Sequence, residues 1–174
     1  MNIINLNFSK SFLLEDFKNS PEGGGIYFHY IVDTNGLNRI IYVGECQSFR
    51  IRQEDHYLNY LRNKCSLFKL ENDGLNIIFI PEYDLYIKIK DFELLKEKLI
   101  SSIYVICSEI NNLSDCNLKG IEGAIINYLY RKSEIRKYLL NTTKNYTLRN
   151  AEIFFTGMNI QLSGLTGRIE TPNI

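Results

Sequence analysis

The sequence is poor in several features that mark specialised classes of protein. It has no tryptophan, three prolines and two histidines among 174 residues, and its 20 basic residues are balanced by 20 acidic ones. The four cysteines, at positions 46, 65, 107 and 116, form no C-x-x-C pair and have no histidine at metal-ligand spacing. These absences argue against a zinc site or a disulfide framework and favour reduced thiols in a cytoplasmic protein.

Long apolar runs are also missing. The first residues, MNIINLNFSKSFLLEDF, lack the basic start and the unbroken apolar stretch of a signal peptide. No apolar run is long enough to cross a bilayer, so a membrane partner is not expected. Aromatic residues, in contrast, are abundant, with twelve Tyr and ten Phe, which argues against disorder. Length and composition predict a single domain over residues 1–174.

Although the net charge is zero, the basic residues are concentrated in one segment. Residues 119 to 149 contain seven basic and two acidic side chains, a balance of +5, and the remainder carries −5. The basic residues of this segment are Lys119, Arg131, Lys132, Arg136, Lys137, Lys144 and Arg149. Such a positive surface suits a phosphate backbone, but charge alone fits an ordinary solvated helix face equally well.

The stretch GGGIYFHYIVDTNGLNRIIYVGE, residues 23–45, predicts a β-hairpin. Two runs rich in Ile, Val, Tyr and Phe flank Asn35-Gly36, and both of these residues tolerate the positive φ of a tight hairpin turn. If the turn has two residues, Thr34 pairs with Leu37.

This register brings two tyrosines to one face of the hairpin. Tyr42 lies opposite His29 and diagonal to Tyr27, and diagonal neighbours are within reach of aromatic side chains. A shift of one residue would place the tyrosines on opposite faces. Taken alone, either tyrosine is most often a packing residue.

The segment SFRIRQEDHYLNYLRN, residues 48–63, predicts a helix that begins after the cap residue Ser48. Its predicted apolar stripe consists of Ile51, Leu58 and Leu61. Arg52 and His56 are four residues apart and share a neighbouring face.

The rest of the chain predicts a mixture of strands and helices. The predicted elements are strands at 75–80 and 84–90, helices at 91–110 and 118–132, a polar loop at 111–117 and a short strand in AEIFF, residues 151–155. Apolar residues recur at helical spacing in the last helix, at Leu118, Ile121, Ile125 and Leu129. The predicted class is α+β, a small antiparallel sheet flanked by helices.

One ordered set of residues is more specific than any of its members. Gly25-Ile26-Tyr27 and Tyr42-Val43-Gly44 are followed by Arg52, His56 and a later helical Glu122. This set, with the spacing of YVGECQSFRIRQEDH, resembles the GIY-YIG nuclease family, firmly over residues 23–63 and loosely over 118–145. The resemblance implies a GIY-YIG-like fold and hydrolysis of a nucleic-acid phosphodiester with one divalent metal, Mg²⁺, or Mn²⁺ as a substitute.

The resemblance implies a role for each member of the set. Tyr27 is slightly favoured as the general base, and Tyr42 would position the phosphate or the water. Arg52 would favour phenolate and contact phosphate oxygens, and His56 would pass on a proton. Glu122, which borders an apolar stripe and so needs a partner, would bind Mg²⁺.

Further residues are expected to contact DNA. The asparagine that contacts phosphate in the family corresponds to Asn141, with Asn145 as the alternative, although both lie further beyond Glu122 than the family pattern. The residues expected to bind the DNA backbone are Arg136, Lys137, Lys144 and Arg149.

The whole chain resembles a type II restriction endonuclease that cuts double-stranded DNA at a short site. No appended DNA-reading module is evident, so an insertion at 64–117 and an extension at 146–174 are expected to select the target. Such an enzyme is expected to act as a homodimer on a palindrome and to accompany a DNA methyltransferase. The alternatives are a homing, phage-type or repair-type GIY-YIG nuclease, or a catalytically inactive nucleic-acid-binding module.

Overall fold

The computed structural model is a mixed α+β fold in which a sheet packs against helices. It describes residues 2–33, 35–62, 69–70, 77–78, 92–110, 118–136, 138–143, 148–157 and 161–171. The strands are β1 (Asn2–Leu13), β2 (Gly25–Val32), β3 (Asn38–Cys46), β4 (Lys69–Leu70), β5 (Ile77–Ile78), β6 (Tyr104–Glu109), β7 (Ala151–Thr156) and β8 (Arg168–Glu170). The helices are α1 (Phe49–Leu61), α2 (Phe92–Ile100), α3 (Leu118–Tyr130) and α4 (Ser133–Arg136), with a 3-10 helix at Leu14–Asn19. The predicted α+β class is confirmed.

Six strands form the main sheet, in the order β3-β2-β6-β1-β7-β8. Neighbouring strands run antiparallel except for β1 and β7, which are parallel. The short strands β4 and β5 form a separate antiparallel pair. The first hairpin of the chain, β2 with β3, therefore lies at one edge of the main sheet.

Helices cover both faces of β2. Ile26 and Phe28 pack in a core cluster with α3, whereas Tyr27 and Ile31 pack in a second cluster with α1 and α2. Successive side chains of a strand point to opposite faces, so burial on both faces makes β2 continuously buried as far as Ile31. None of the helices in the described part of the chain is long and apolar enough to cross a membrane.

The β2–β3 hairpin pairs His29 with Tyr42, as predicted, but through a different turn. The backbone N–H of Asp33 donates to the carbonyl of Leu37 at 2.9 Å, so the predicted two-residue turn is wrong and three residues separate the paired ends. Asp33 favours this wider turn because its carboxylate accepts N–H bonds from Asn35 and Leu37, each at 2.8 Å. A bulge after His29 then shifts the register by one residue and restores the predicted pairing.

Later segments of the chain cover the outer edge of β3. The N–H of Leu140 donates to the carbonyl of Ile41 at 2.7 Å, and the N–H of Ser163 donates to that of Asn38 at 2.8 Å. An edge strand otherwise exposes unpaired backbone groups. These contacts satisfy part of the edge and hold the strand that carries Tyr42.

The predicted long helix at residues 91–110 is wrong. Helix α2 ends at Ile100, and Tyr104–Glu109 form β6, which lies between β2 and β1 in the middle of the sheet. The sequence IYVICSE is rich in β-branched and aromatic residues, which favour a strand that is buried on both faces. Part of the predicted insertion at 64–117 therefore belongs to the central sheet.

The strand at the N-terminus, β1, is also missing from the predicted elements, although Ile4, Leu6 and Phe8 alternate with polar residues in the pattern of a strand. The hairpin strands, α1, α3 and the terminal strand β7 are confirmed. Ser48 occupies the N-cap of α1, but its side chain makes no cap hydrogen bond. The predicted strand at 84–90 and the loop at 111–117 lie outside the described residues, and the strand at 75–80 is described only at residues 77–78.

Candidate active site

Tyr27 lies at the centre of a cluster of polar side chains between the β2–β3 hairpin and α1. Its side chain is fully buried. Its hydroxyl is 2.8 Å from Nε2 of His56 and accepts a hydrogen bond from Nε of Arg52 at 3.2 Å. The fold thus brings together Tyr27, Arg52 and His56, three of the residues marked by the sequence motif.

Gly44 allows the Tyr27 ring to lie against β3. The two residues are directly opposite each other in the hairpin, and a Cβ added to Gly44 would overlap the hydroxyl and ring of Tyr27. Gly25 has a similar constraint, because its φ is +152° and an added Cβ would overlap the carbonyl of Ser108 in β6. One glycine of each tripeptide is therefore required by close packing.

Tyr42 lies on the more accessible side of the cluster. It is half-buried, and its ring centroid is 6.1 Å from that of Tyr27 and 5.0 Å from that of His56. Burial raises the pKa of the Tyr42 hydroxyl and Glu122 raises it further, whereas the charge and hydrogen bonding of Arg52 lower it. Arg52 therefore interacts with both tyrosine hydroxyls.

The buried face of α1 differs from the predicted apolar stripe. Ile51 is 64% exposed, and Leu58 and Leu61 are only half-buried. The buried residues recur at helical spacing and include two polar ones: Phe49, Gln53, His56 and Tyr60. The predicted stripe is wrong because this face of α1 packs against the tyrosines of the hairpin, not against a purely apolar surface.

Burial favours the neutral forms of Tyr27 and His56. Burial, His29 and Arg52 together lower the pKa of His56 to about 2, while burial and Tyr42 raise the pKa of Tyr27 well above its ordinary value despite the opposing effect of Arg52. A neutral imidazole nitrogen can accept a hydrogen bond. In the tautomer that carries its proton on Nδ1, His56 accepts the Tyr27 proton at Nε2, while the hydroxyl oxygen accepts from Arg52.

Glu122 is the carboxylate that the motif assigns to the metal. It lies on α3, is 8% exposed, and is close enough to Tyr42 to raise the pKa of that hydroxyl. Among the described residues, no group of three or more His, Cys, Asp or Glu side chains is arranged to hold an ion. Mg²⁺ needs only one or two carboxylates when water and phosphate oxygens complete its shell, so the chemistry of Glu122 fits such an ion.

Asn141 is bonded to the backbone of β3. Its Oδ1 accepts the N–H of Val43 at 2.7 Å, and its Nδ2 donates to the carbonyl of Val43 at 2.9 Å. Val43 stands between Tyr42 and Gly44, so both bonds hold the strand at the site. This geometry accounts for a positioning role, and the contact of Asn141 with phosphate stays a prediction.

The residues expected to bind the DNA backbone are described only in part. Arg136 and Arg149 are exposed, and the guanidinium of Arg136 lies 5.7 Å from the ring centroid of Tyr130. Arg136 follows the end of α3 that is remote from Glu122. Lys137, Lys144 and the alternative Asn145 lie outside the described residues. A DNA contact of these residues stays a prediction.

Two buried polar residues outside the motif also belong to the cluster. Nε2 of His29 is 2.7 Å from Oε1 of Gln53, and the His29 ring centroid is 4.8 Å from that of His56. The signal that could have identified His29 is the hairpin register, which places it opposite Tyr42 on the face that also carries Tyr27. Gln53 carries no such signal in the sequence.

Comparison with known proteins finds no match to the chain among family models, curated proteins or solved structures. Membership of the GIY-YIG family therefore stays a prediction from the spacing of the motif residues.

Proposed function

We propose that the chain is a DNA endonuclease of the GIY-YIG type that depends on Mg²⁺. The observation that carries this proposal is the single hydroxyl of Tyr27, which Arg52 contacts at 3.2 Å and His56 at 2.8 Å. Tyr42 and Glu122 interact with the same cluster. Motif residues that resembled a nuclease only by chance would have no reason to meet in this way.

The side chains supply most of what hydrolysis of a phosphodiester requires. Arg52 is exposed, so the N–H groups that do not bind Tyr27 or Tyr42 can bind non-bridging phosphate oxygens. A protonated tyrosine can act as the base only if it gives up its own proton. Tyr42 is hydrogen-bonded to Tyr27, and Tyr27 to His56. As Tyr42 takes the proton of the attacking water, its own proton would pass to Tyr27 and the Tyr27 proton to neutral His56. A divalent ion held by Glu122 would neutralise the charge that develops on the phosphate.

Burial distinguishes the two tyrosines. Tyr27 is fully buried, whereas Tyr42 is half-buried, and a general base must lie within hydrogen-bond reach of the water it deprotonates. This contrast supports Tyr42 as the hydroxyl that meets the water, with Tyr27 linking Arg52 to His56. We expect Tyr42→Phe to slow cleavage more than Tyr27→Phe in single-turnover assays. A larger loss for Tyr27→Phe would assign the base to Tyr27, as the sequence favours.

Plasmid cleavage tests the activity directly. Purified protein is incubated with supercoiled plasmid and Mg²⁺ or Mn²⁺, beside Glu122→Gln and Arg52→Lys. Matched controls are Glu134→Gln, which changes an exposed glutamate of α4, and Arg50→Lys, which changes an exposed arginine two residues from Arg52. We expect cleavage by wild type and both controls and a large loss in the two site variants. Loss of cleavage in all four variants, or in none of them, would contradict the assignment of Glu122 and Arg52 to the active site.

The products identify the kind of nuclease. We propose a type II restriction endonuclease, a homodimer on a palindromic site, and discrete fragments together with a neighbouring methyltransferase gene would support this choice. Nicked circles or a smear would favour a homing, phage-type or repair-type enzyme. DNA binding without cleavage in the presence of any divalent metal would favour an inactive binding module. The bound DNA would then not lie in a position where the reactive side chains can act on it.

A further inference from the structure

A second polar pair joins β2 to α1 beside the motif residues. His29 and Gln53 are both fully buried, and Nε2–H of His29 donates to Oε1 of Gln53 at 2.7 Å. Along α1, Gln53 lies between Arg52 and His56, the two residues that contact the hydroxyl of Tyr27. The bond therefore holds the helix at the turn from which both of these side chains reach Tyr27.

The ring of His29 also packs against the other rings of the site. Its centroid lies 4.8 Å from that of His56, 5.4 Å from that of Tyr27 and 5.5 Å from that of Tyr42. The rings are tilted or edge-on to one another, an arrangement that aromatic pairs prefer. Because cores are close-packed, a rotation of His29 would displace at least one of these three neighbours.

Stability alone does not account for this pair. In the described part of the chain, Nδ1 of His29 and Nε2 of Gln53 are buried without a hydrogen-bond partner. Leaving buried polar groups unsatisfied is destabilising, and two apolar side chains of similar shape would remove that penalty. A buried His–Gln pair at the centre of a candidate site therefore needs a reason other than packing.

We propose that His29 and Gln53 are positioning residues that hold His56, Tyr27 and Tyr42 in the arrangement required for cleavage. The pair fixes the distance between the β2–β3 hairpin and α1, and thereby the contact between Tyr27 and His56. Its role in cleavage rests on the proposed nuclease function, but its effect on the Tyr27–His56 hydrogen bond does not.

Three variants separate the hydrogen bond from the packing of the rings. His29→Phe keeps a ring without a donor, and Gln53→Met removes the acceptor with little change in shape. His29→Gln keeps an N–H that can reach Gln53. The matched control is Glu54→Gln, which changes the exposed neighbour of Gln53 on α1.

The first measurement needs no nuclease activity. The ¹⁵N resonances of the His56 imidazole report its hydrogen bond with Tyr27, because the shift of an acceptor nitrogen changes when the bond is lengthened or lost. We expect these resonances to move in His29→Phe and Gln53→Met and to stay in place in Glu54→Gln. Unmoved His56 resonances in both site variants would overturn the inference, whether or not the chain cleaves DNA.

The second measurement is single-turnover cleavage of plasmid with Mg²⁺, with DNA affinity and Tm determined in parallel. We expect His29→Phe and Gln53→Met to cleave about 10- to 100-fold more slowly, with unchanged DNA affinity and no loss of Tm, and His29→Gln to recover part of the rate. If the cleavage rates of the variants fall only in proportion to their Tm, the His29–Gln53 pair is purely structural and the inference is overturned. If wild type cleaves nothing, the proposed function fails, and the His56 resonances alone decide whether the pair positions this residue.

Discussion

Replacing Gly44 with alanine tests whether the packing of Tyr27 against β3 determines the geometry of the site. An added Cβ would overlap the hydroxyl and ring of Tyr27, so the ring would have to move by about 1 Å to regain ordinary van der Waals contact. Tyr27 cannot yield freely, because it is fully buried and its hydroxyl is bonded to Arg52 and His56. The movement must therefore lengthen at least one of these two bonds.

Two effects of different size follow from this displacement. Overpacking of a core typically costs about 1–3 kcal/mol of stability, which leaves a domain of ordinary stability mostly folded. A displacement of about 1 Å in an active site can slow a reaction about 100-fold, or about 2.7 kcal/mol in the barrier. Gly44→Ala should thus lose far more cleavage activity than the folded fraction explains.

Single-turnover plasmid cleavage and urea denaturation measure the two effects separately. The control is Gly167→Ala, where an added Cβ meets nothing within 4 Å. The double variant Gly44→Ala with Tyr27→Phe removes the overlapping oxygen, so it should regain part of the stability without regaining activity. A Gly44→Ala protein with wild-type rate and stability would show that Tyr27 does not occupy this position.

Two further predictions concern the strand that carries Tyr42 and the buried histidine opposite it. Asn141→Leu should lower the free energy of unfolding in urea by about 1–3 kcal/mol for each backbone group of Val43 that loses its hydrogen bond. The control Thr142→Leu changes an exposed residue and should have little effect. Equal losses of stability in the two variants would mean that the Asn141 hydrogen bonds contribute nothing. Burial lowers the pKa of His29 to about 4, although the hydrogen bond to Gln53 opposes the shift. Between about pH 6.5 and 4, therefore, only the unfolded chain binds a proton at this residue. About 3 kcal/mol of stability should be lost as the pH falls through that window. His56, whose pKa is lowered to about 2, also takes up a proton only in the unfolded chain over this window. His29→Phe should therefore reduce the slope of stability against pH by about half in urea denaturation, and an unchanged slope would contradict the assignment.

The centre of the candidate site could be predicted because its determinants are local in sequence. The pairing of His29 with Tyr42 depends only on the turn and the alternation of the hairpin, and it survives the wider turn because a bulge compensates for the extra residue. Arg52 and His56 are one helical turn apart on the helix that follows β3 directly. Short connections leave few possible arrangements, so spacing along the chain translates into proximity in space.

The elements that depend on long-range contacts could not be predicted in the same way. The segment Tyr104–Glu109 follows a helix without a glycine or proline, and its identity as a strand becomes clear only when it lies between β2 and β1. Asn141 is 98 residues from Val43, whose backbone it binds. Such pairings depend on the tertiary fold, which overrides local propensity and leaves little signal in one sequence.

The error in the stripe of α1 has a different origin, and it bears on function. Burial along the helix follows the helical period through Phe49, Gln53, His56 and Tyr60, but hydrophobicity does not. Burying Gln53 and His56 destabilises the fold unless their polar atoms are hydrogen-bonded. On the opposite face Ile51 is 64% exposed, so its apolar side chain contributes little to the core. Selection for stability alone would favour apolar residues at the buried positions and polar residues at the exposed ones. The mismatch between burial and polarity therefore marks the candidate site, because departures from such local patterns are expected at functional sites. The face of α1 that conflicts most with a simple amphipathic pattern is the face that meets Tyr27.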